Sequence, residues 1–414
     1  MNYIKRDIES VIQEVSESYS AVMITGPRQV GKTTTLKQLT ENEACNRKYV
    51  TLDDLEARRT AVTDPELFLS LYSAPLLIDE VQYAPELFSR IKIAIDNGAV
   101  PGSYWMTGSQ TFRLLELAQE SLAGRVAILR MSGLSQHEIY GNGQNKPLHI
   151  DFDSLQERTK TGVSTDTVGQ YERIWKGSLP GHISGKYPNR DIFYSSYMQS
   201  YIQRDIGDML ARVDSLQFED FIRAAACRAG QMLNIHDIAL DVGVTDDTAK
   251  RWLRLLEKSG VIFYLRPFSN NLLKRTVKTP KMYFFDTGLV AYLTKYSTAD
   301  ILMSGAINGA ILENYVVSEI FKSYSNCGLD CTAHYYRDKD GKEIDLIIES
   351  GFNSEPQLHP IEIKKSASPP TELAGVFKVL DAASLPRGMG AVVCTKQEFS
   401  AINRNTAIVP IWTL

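Results

Sequence analysis

Short apolar runs alternate with amphipathic stretches over the first third of the chain. Residues 21–25, 48–52, 75–79, 103–107 and 126–131 read as strands, with helical periodicity between them. In 86–97, for example, Leu87, Ile91 and Ile95 fall on one face. This alternation predicts an α/β domain around a parallel sheet. Around 140–190 the chain is rich in Gly, Asn, Thr and Pro, which predicts loops on a helical connector, and a helical pattern returns over 197–210. Three further helical patterns, 218–231, 235–242 and 246–259, precede strand-like runs at 261–265 and 281–285. Gly243 supplies the turn between the second and third, and Thr245 can cap the third, with Asp246 and Asp247 in its first turn. Helices followed by a hairpin predict a winged helix-turn-helix. The remainder opens with a helix over 307–323. Strands then follow at 334–336, 343–348, 359–364 and 391–394, a small α/β unit of its own.

Composition narrows the class. A chain of 414 residues implies two to four domains, and 43% apolar with 23% charged residues is ordinary for a protein with real cores. The formal net charge is −4, so nucleic-acid binding would need a local basic patch. The five cysteines are too scattered for a disulfide framework, and Cys327 with Cys331 is a lone pair without the second pair that a zinc site needs. The start carries no apolar stretch of signal-peptide length and no run is long enough for a membrane span, so the expected location is the cytoplasm.

The strongest chemical signal is Gly26-Pro27-Arg28-Gln29-Val30-Gly31-Lys32-Thr33, a GxxxxGK[ST] phosphate loop. It lies between an apolar strand and a helix beginning at Thr34, the context such a loop requires. Glycines let backbone N–H groups close around phosphate oxygens, and the helix N-terminus favours negative charge. Lys32 is expected on the β- and γ-phosphates of ATP and Thr33 on Mg2+. The strand Pro75-Leu76-Leu77-Ile78 ends in Asp79-Glu80, which places Asp79 to hold magnesium through water and Glu80 to polarise the attacking water. At the end of the next strand, Ser109 or Gln110 can sense the γ-phosphate, although turn chemistry accounts for the same residues. Arg28 either meets phosphate or braces the loop.

A second constellation lies near the other end. Side chains alternate across a strand, so Glu362 and Lys364 share a face, and a hairpin would bring Asp345 opposite them. Asp345, Glu362 and the Ile363 carbonyl would offer oxygen ligands to a hard divalent ion, and Glu313 on the preceding helix could complete the set. Lys364 would then orient or help deprotonate a metal-bound water. The structural alternative is a half-buried hairpin with exposed charges. Between the two sites, Lys250, Arg251, Arg254 and Lys258 fall on the third helix of the helix-turn-helix, with Lys274, Arg275, Lys278 and Lys281 on or beside its wing. Such residues suit DNA contact, whereas Asp246 and Asp247 favour a packing role.

The order of elements in the first domain resembles an AAA-type ATPase. The resemblance implies that Arg125, in Ser121-Leu122-Ala123-Gly124-Arg125 ahead of the fifth strand, stabilises the γ-phosphate of a neighbouring subunit; a surface ion pair is the alternative. Asp345 followed by Glu362-x-Lys364 resembles the PD-(D/E)XK nuclease superfamily. The whole chain is similar to prokaryotic ATP-binding proteins that join an AAA-type domain to a winged helix and a nuclease-like domain of unknown function. Residues Tyr201-Ile202-Gln203-Arg204-Asp205 also carry that likeness. The expected organisation is a P-loop AAA-type core (1–135), a helical connector or lid (136–214), a winged helix-turn-helix (215–298) and a small α/β PD-(D/E)XK nuclease-like domain (299–414).

Two functional readings stand. In the first, a Mg-dependent ATPase controls a nucleic-acid-directed, nuclease-type terminal module. In the second, nucleotide binding switches a surface for a protein or DNA partner and the terminal domain is a scaffold. ATP or ADP, DNA, a protein partner and a second copy of the chain are the candidate partners, and a membrane is not one. A small-molecule kinase would need an acceptor pocket that the sequence does not offer.

Overall fold

The computed structural model describes residues 3–41, 46–109, 118, 120–143, 146–201, 215–268, 279–350 and 355–414. Outside them lie Gln110, the segment 202–205, the rest of the helix expected to 210, and Lys274, Arg275 and Lys278; nothing is described of the Ser109 side chain.

The first sheet has five parallel strands, β1 (Ala21–Gly26), β2 (Lys48–Thr51), β3 (Leu76–Asp79), β4 (Tyr104–Ser109) and β5 (Val126–Arg130), in the order β2-β3-β4-β1-β5. Period-two alternation divides its side chains between two cores. Val22, Ile24, Leu77 and Trp105 pack with Ile8 and Ile12 of the helix Ile8–Ser16 and Leu36 and Leu39 of the helix Lys32–Glu41. Ala21, Met23, Leu76, Ile78 and Met106 pack instead with Phe68, Leu87, Phe88 and Ile91. Because the strands run parallel, their carboxyl ends share one rim: Gly26 faces Ser109 and Asp79 faces Thr51.

Helices Phe152–Thr161, Thr167–Lys176 and Arg190–Tyr201 lead away from this sheet. Next come helices Ser215–Ala226, Ile235–Val242 and Asp246–Lys258. Gly243 ends the second of these in a left-handed turn, and the Thr245 hydroxyl caps the third by accepting the Thr248 N–H. An antiparallel pair follows, β7 (Ile262–Pro267) with β8 (Lys281–Phe284), edged by β6 (Gln231–Met232).

This pair is not a separate wing. Arg266 and Pro267 of β7 pair in parallel with His334 and Tyr335 of β9 (Ala333–Arg337). A single nine-stranded sheet therefore crosses residue 299, in the order β13-β14-β12-β11-β10-β9-β7-β8-β6. Its other members are β10 (Glu343–Ser350), β11 (Gln357–Lys364), β12 (Gly390–Cys394), β13 (Ser400–Asn403) and β14 (Thr406–Pro410). The helix Asn308–Ser325 lies against β8 and β11 at once, so elements on both sides of residue 299 share one core. Among the described residues no helix is long and apolar enough to cross a membrane.

Candidate functional site

The turn after β1 is shaped by what its backbone must avoid. Gly26 has φ +149°, and a Cβ there would lie 2.1 Å from the Met131 carbonyl oxygen, so only glycine fits. Gly31, at φ +99°, opens the helix that carries Lys32 and Thr33. Gln29, without glycine's freedom, is held at φ 60° on the loop's outer side. The Lys32 ammonium donates to the carbonyls of Gly26 (2.9 Å) and Pro27 (2.8 Å). Arg28 is half-buried, and Thr34 is exposed at the edge of a cavity.

Asp79 is buried at the tip of β3 and gathers hydroxyls. Thr33 Oγ1 donates to it at 2.6 Å, Tyr49 Oη at 3.2 Å and Thr51 Oγ1 at 3.4 Å, and Thr107 Oγ1 also donates to Oδ1. Burial and the Asp79 charge push the Tyr49 phenol up to about 12, so it remains a donor. The Thr107 hydroxyl accepts the Glu80 N–H at 3.1 Å, and Glu80 itself adopts the left-handed region (φ 58°) with its carboxylate receiving Gln82. A non-glycine residue in that region is strained, and strain of this kind concentrates at working sites. Thr107, two residues before the end of β4, supplies this hydroxyl, whereas the pattern of the strand end points to Ser109 or Gln110.

Arg125 stands apart from this rim. It precedes Val126, which pairs with Ala21 at the start of β1, so it lies one strand length from its own loop. There Nε donates to Asp96 at 2.6 Å on the surface. Within one chain this is the surface ion pair.

A cavity of about 810 Å³ opens beside the loop, lined among others by Tyr3, Arg6, Gly31, Tyr187 and Phe193. Arg6 is buried and fixes the loop from below. It donates to the carbonyls of Val30 and Ser132 and to Glu138 Oε1, each at 2.8 Å. Glu138 is the third residue of a capping box with Ser135. The next residues reach the far end of the chain: the Gln136 N–H donates to Glu319 at 2.8 Å, and Lys322 donates to the Leu134 carbonyl at 3.1 Å. Glu319 and Lys322 are buried on the helix that also carries Glu313. The sequence signal for this contact is a Glu set in the apolar run Val316-Val317-Ser318-Glu319-Ile320.

At the second constellation β10 and β11 are antiparallel neighbours, with Leu346 opposite Ile361. Asp345 Oδ2 accepts the Ile363 N–H at 2.8 Å, so it is the amide of Ile363, rather than its carbonyl, that meets the carboxylate. The Lys364 ammonium pairs with Glu362 at 2.6 Å and Asp345 at 3.5 Å. Glu362 is buried, and among the described residues its Oε1 has no hydrogen-bond partner. Burial, then the Asp345 charge, raises its carboxyl to about 8. Burial and Asp345 also raise Glu313, which accepts Tyr283 Oη at 2.7 Å.

Lys281, expected on a DNA-facing wing, lies elsewhere. It is 4% exposed, and its ammonium meets Glu343 at 2.7 Å, Glu313 at 2.9 Å and Asp345 at 3.9 Å. Strand β8 lies in the nine-stranded sheet beneath the helix Asn308–Ser325, which turns this side chain inward. Burial alone would lower its pKa, but the three carboxylates more than offset that and raise it. Among the described residues no three His, Cys, Asp or Glu side chains stand together as a ready metal site. By contrast Lys250, Arg251, Arg254 and Lys258 are all exposed.

Three family models match successive parts of the chain. Residues 18–140 match the model of an AAA domain, and that likeness supports ATP binding and ATPase chemistry at the level of the family. Residues 169–300 and 308–414 match two domains of unknown function, DUF8612 and DUF4143. Uncharacterized proteins of Mycobacterium tuberculosis and Mycobacterium bovis are each 27% identical over 368 residues, covering 88% of this chain and 75% of theirs. Among solved structures, a Walker-type ATPase of Pyrococcus abyssi overlaps 70% of this chain and 96% of its own at 13% identity and TM-score 0.42. The Holliday junction branch migration motor RuvB of Thermotoga maritima overlaps 62% and 88% at 14% identity and TM-score 0.31.

Proposed function

We propose that the chain is a Mg-dependent ATPase whose nucleotide state acts on a nucleic-acid-directed terminal module. The observation that carries the reading is the Thr33 hydroxyl closing on Asp79 at 2.6 Å beneath the glycine turn. A hydroxyl and a carboxylate converging there are the hard oxygen donors that suit magnesium, which would neutralise charge on the β- and γ-phosphates. In this reading Lys32 leaves the Gly26 and Pro27 carbonyls for phosphate, and the nucleoside enters the adjoining cavity. Glu80, held by the Thr107 hydroxyl, orients the attacking water. Arg125 acts only on a neighbouring copy.

The terminal module is read as a PD-(D/E)XK-type site reached from a winged helix whose exposed face carries Arg251 and Arg254. Glu362 Oε1, without a hydrogen-bond partner among the described residues, supports a cation beside Asp345, whose carboxylate meets both Lys281 and Lys364. Asp345 and Glu362 would hold a divalent ion, which would supply an activated water, while Lys364 orients that water. The buried path from Val30 through Arg6, Glu138, Ser135 and the adjoining Gln136 to Glu319 supports communication between the sites.

The test combines turnover with cleavage. Lys32→Ala should abolish ATP binding, and Glu80→Gln should keep binding while slowing hydrolysis by roughly 10²-fold or more. Purified protein is then incubated with mixed DNA and RNA, with and without ATP and Mg2+ or Mn2+, beside Asp345→Ala. Unchanged ATP affinity in Lys32→Ala would overturn the nucleotide assignment. Absence of any Asp345-dependent cleavage would leave the switch reading, in which association with a DNA or protein partner depends on nucleotide alone.

A further inference from the structure

The buried ammonium of Lys281 is a group that neither the ATPase nor the cleavage chemistry uses. Its side chain is 5% exposed and lies among Glu343, Glu313 and Asp345. Glu362, more than nine-tenths buried, shares the Lys364 ammonium with Asp345, and among the described residues its Oε1 has no hydrogen-bond partner. Carboxylates drawn onto a buried ammonium bind a divalent ion less tightly, because the two cations repel each other and share the same negative charge.

We infer that Lys281 is a tethered cation that competes with the divalent metal of the terminal site. The inference rests on the reading of Glu313, Asp345 and Glu362 as metal donors and adds how that site is regulated. Glu313 Oε1 accepts from both Lys281 (2.9 Å) and Tyr283 (2.7 Å) on β8, so that oxygen is already engaged. For the metal to gain that oxygen, the ammonium must leave it. Lys281 is the first residue of β8. Glu343 sits at the start of β10 and acts as the anchor that holds Lys281 in place without being one of the metal donors.

The geometry predicts a hierarchy of metal affinities. Mn2+ binding to the full chain is measured without nucleotide by electron paramagnetic resonance of the free ion. The Asp345→Asn chain is subtracted as a blank, so that ions at the phosphate loop cancel. Lys281→Met should bind Mn2+ at least about tenfold more tightly than the wild type, the effect of removing one charged contact. Glu343→Gln, which keeps the ammonium but loosens its anchor, should shift in the same direction by less. This second variant keeps the test available if Lys281→Met fails to fold. Equal affinities in wild type, Lys281→Met and Glu343→Gln, all lost with Asp345→Asn, would overturn the competition while leaving the metal site standing. No Asp345-dependent binding in any folded variant would overturn the metal-site reading, and the competition with it.

Discussion

Arg6 offers the sharpest quantitative test of how the loop is held. Its side chain is 2% exposed, and Glu138, its partner at 2.8 Å, is fully buried. The guanidinium also serves the carbonyls of Val30 and Ser132. Arg6→Met retains much of the apolar stem but strands a buried carboxylate and two carbonyl oxygens. Removing one partner of a buried pair costs about 3–5 kcal/mol. Glu138 still accepts the N–H groups of Asp7 (2.9 Å) and Ser135 (2.8 Å), which points to the lower end, about 3 kcal/mol. Urea unfolding followed by circular dichroism measures the loss. The double variant Arg6→Met/Glu138→Gln should recover at least about 1 kcal/mol, because the unpaired charge is gone. ATP affinity should fall as well, since Val30 lies inside the loop. A loss below about 1 kcal/mol, or singles that simply add in the double, would refute the buried-pair argument.

Gly26→Ala places a methyl 2.1 Å from the Met131 carbonyl at a φ that alanine rarely adopts. Loss of ATP binding with a lowered melting temperature is expected, and a variant that binds normally would contradict the geometry. A second prediction concerns acid. Burial lowers the pKa of His359, whose Nδ1–H donates to the Met389 carbonyl while Nε2 accepts the Ser350 hydroxyl; burial and Arg158 lower His137. A folded-state pKa below the ordinary 6.5 means that the unfolded chain takes up protons first as pH falls. The stability that these residues contribute is complete above 6.5 and is lost as the pH drops through their folded values. Thermal midpoints between pH 7 and 5 should therefore decline less steeply in His359→Gln than in the wild type, and parallel declines would refute the assignment.

The first domain was legible because local rules and global fold agree there. A strand with every residue buried, a turn that only glycine can make, and a lysine at the head of a helix are short-range patterns. So is the Asp-Glu pair at the tip of β3, whose meeting with Thr33 follows once the strands are parallel. The carboxylates Asp345 and Glu362 were equally legible, since alternation and one hairpin bring them together. Lys281 was misplaced by the same kind of reasoning. Its sequence context is basic and wing-like, whereas its environment is set by the pairing of β7 with β9, in which Arg266 meets His334. No local pattern encodes that parallel pairing, because it needs only two residues from each strand.

Arg6 and Glu319 show the same division. By itself the amino-acid sequence determined the phosphate loop, its acidic partner strand and the alternating carboxylates, all of which depend on spacing within one or two elements. Only the tertiary structure decided what lies beneath the loop, which ammonium enters the carboxylate cluster and where Arg125 points. Those outcomes depend on which distant side chains must share a buried volume. A charge taken out of water has to find a partner wherever the fold supplies one.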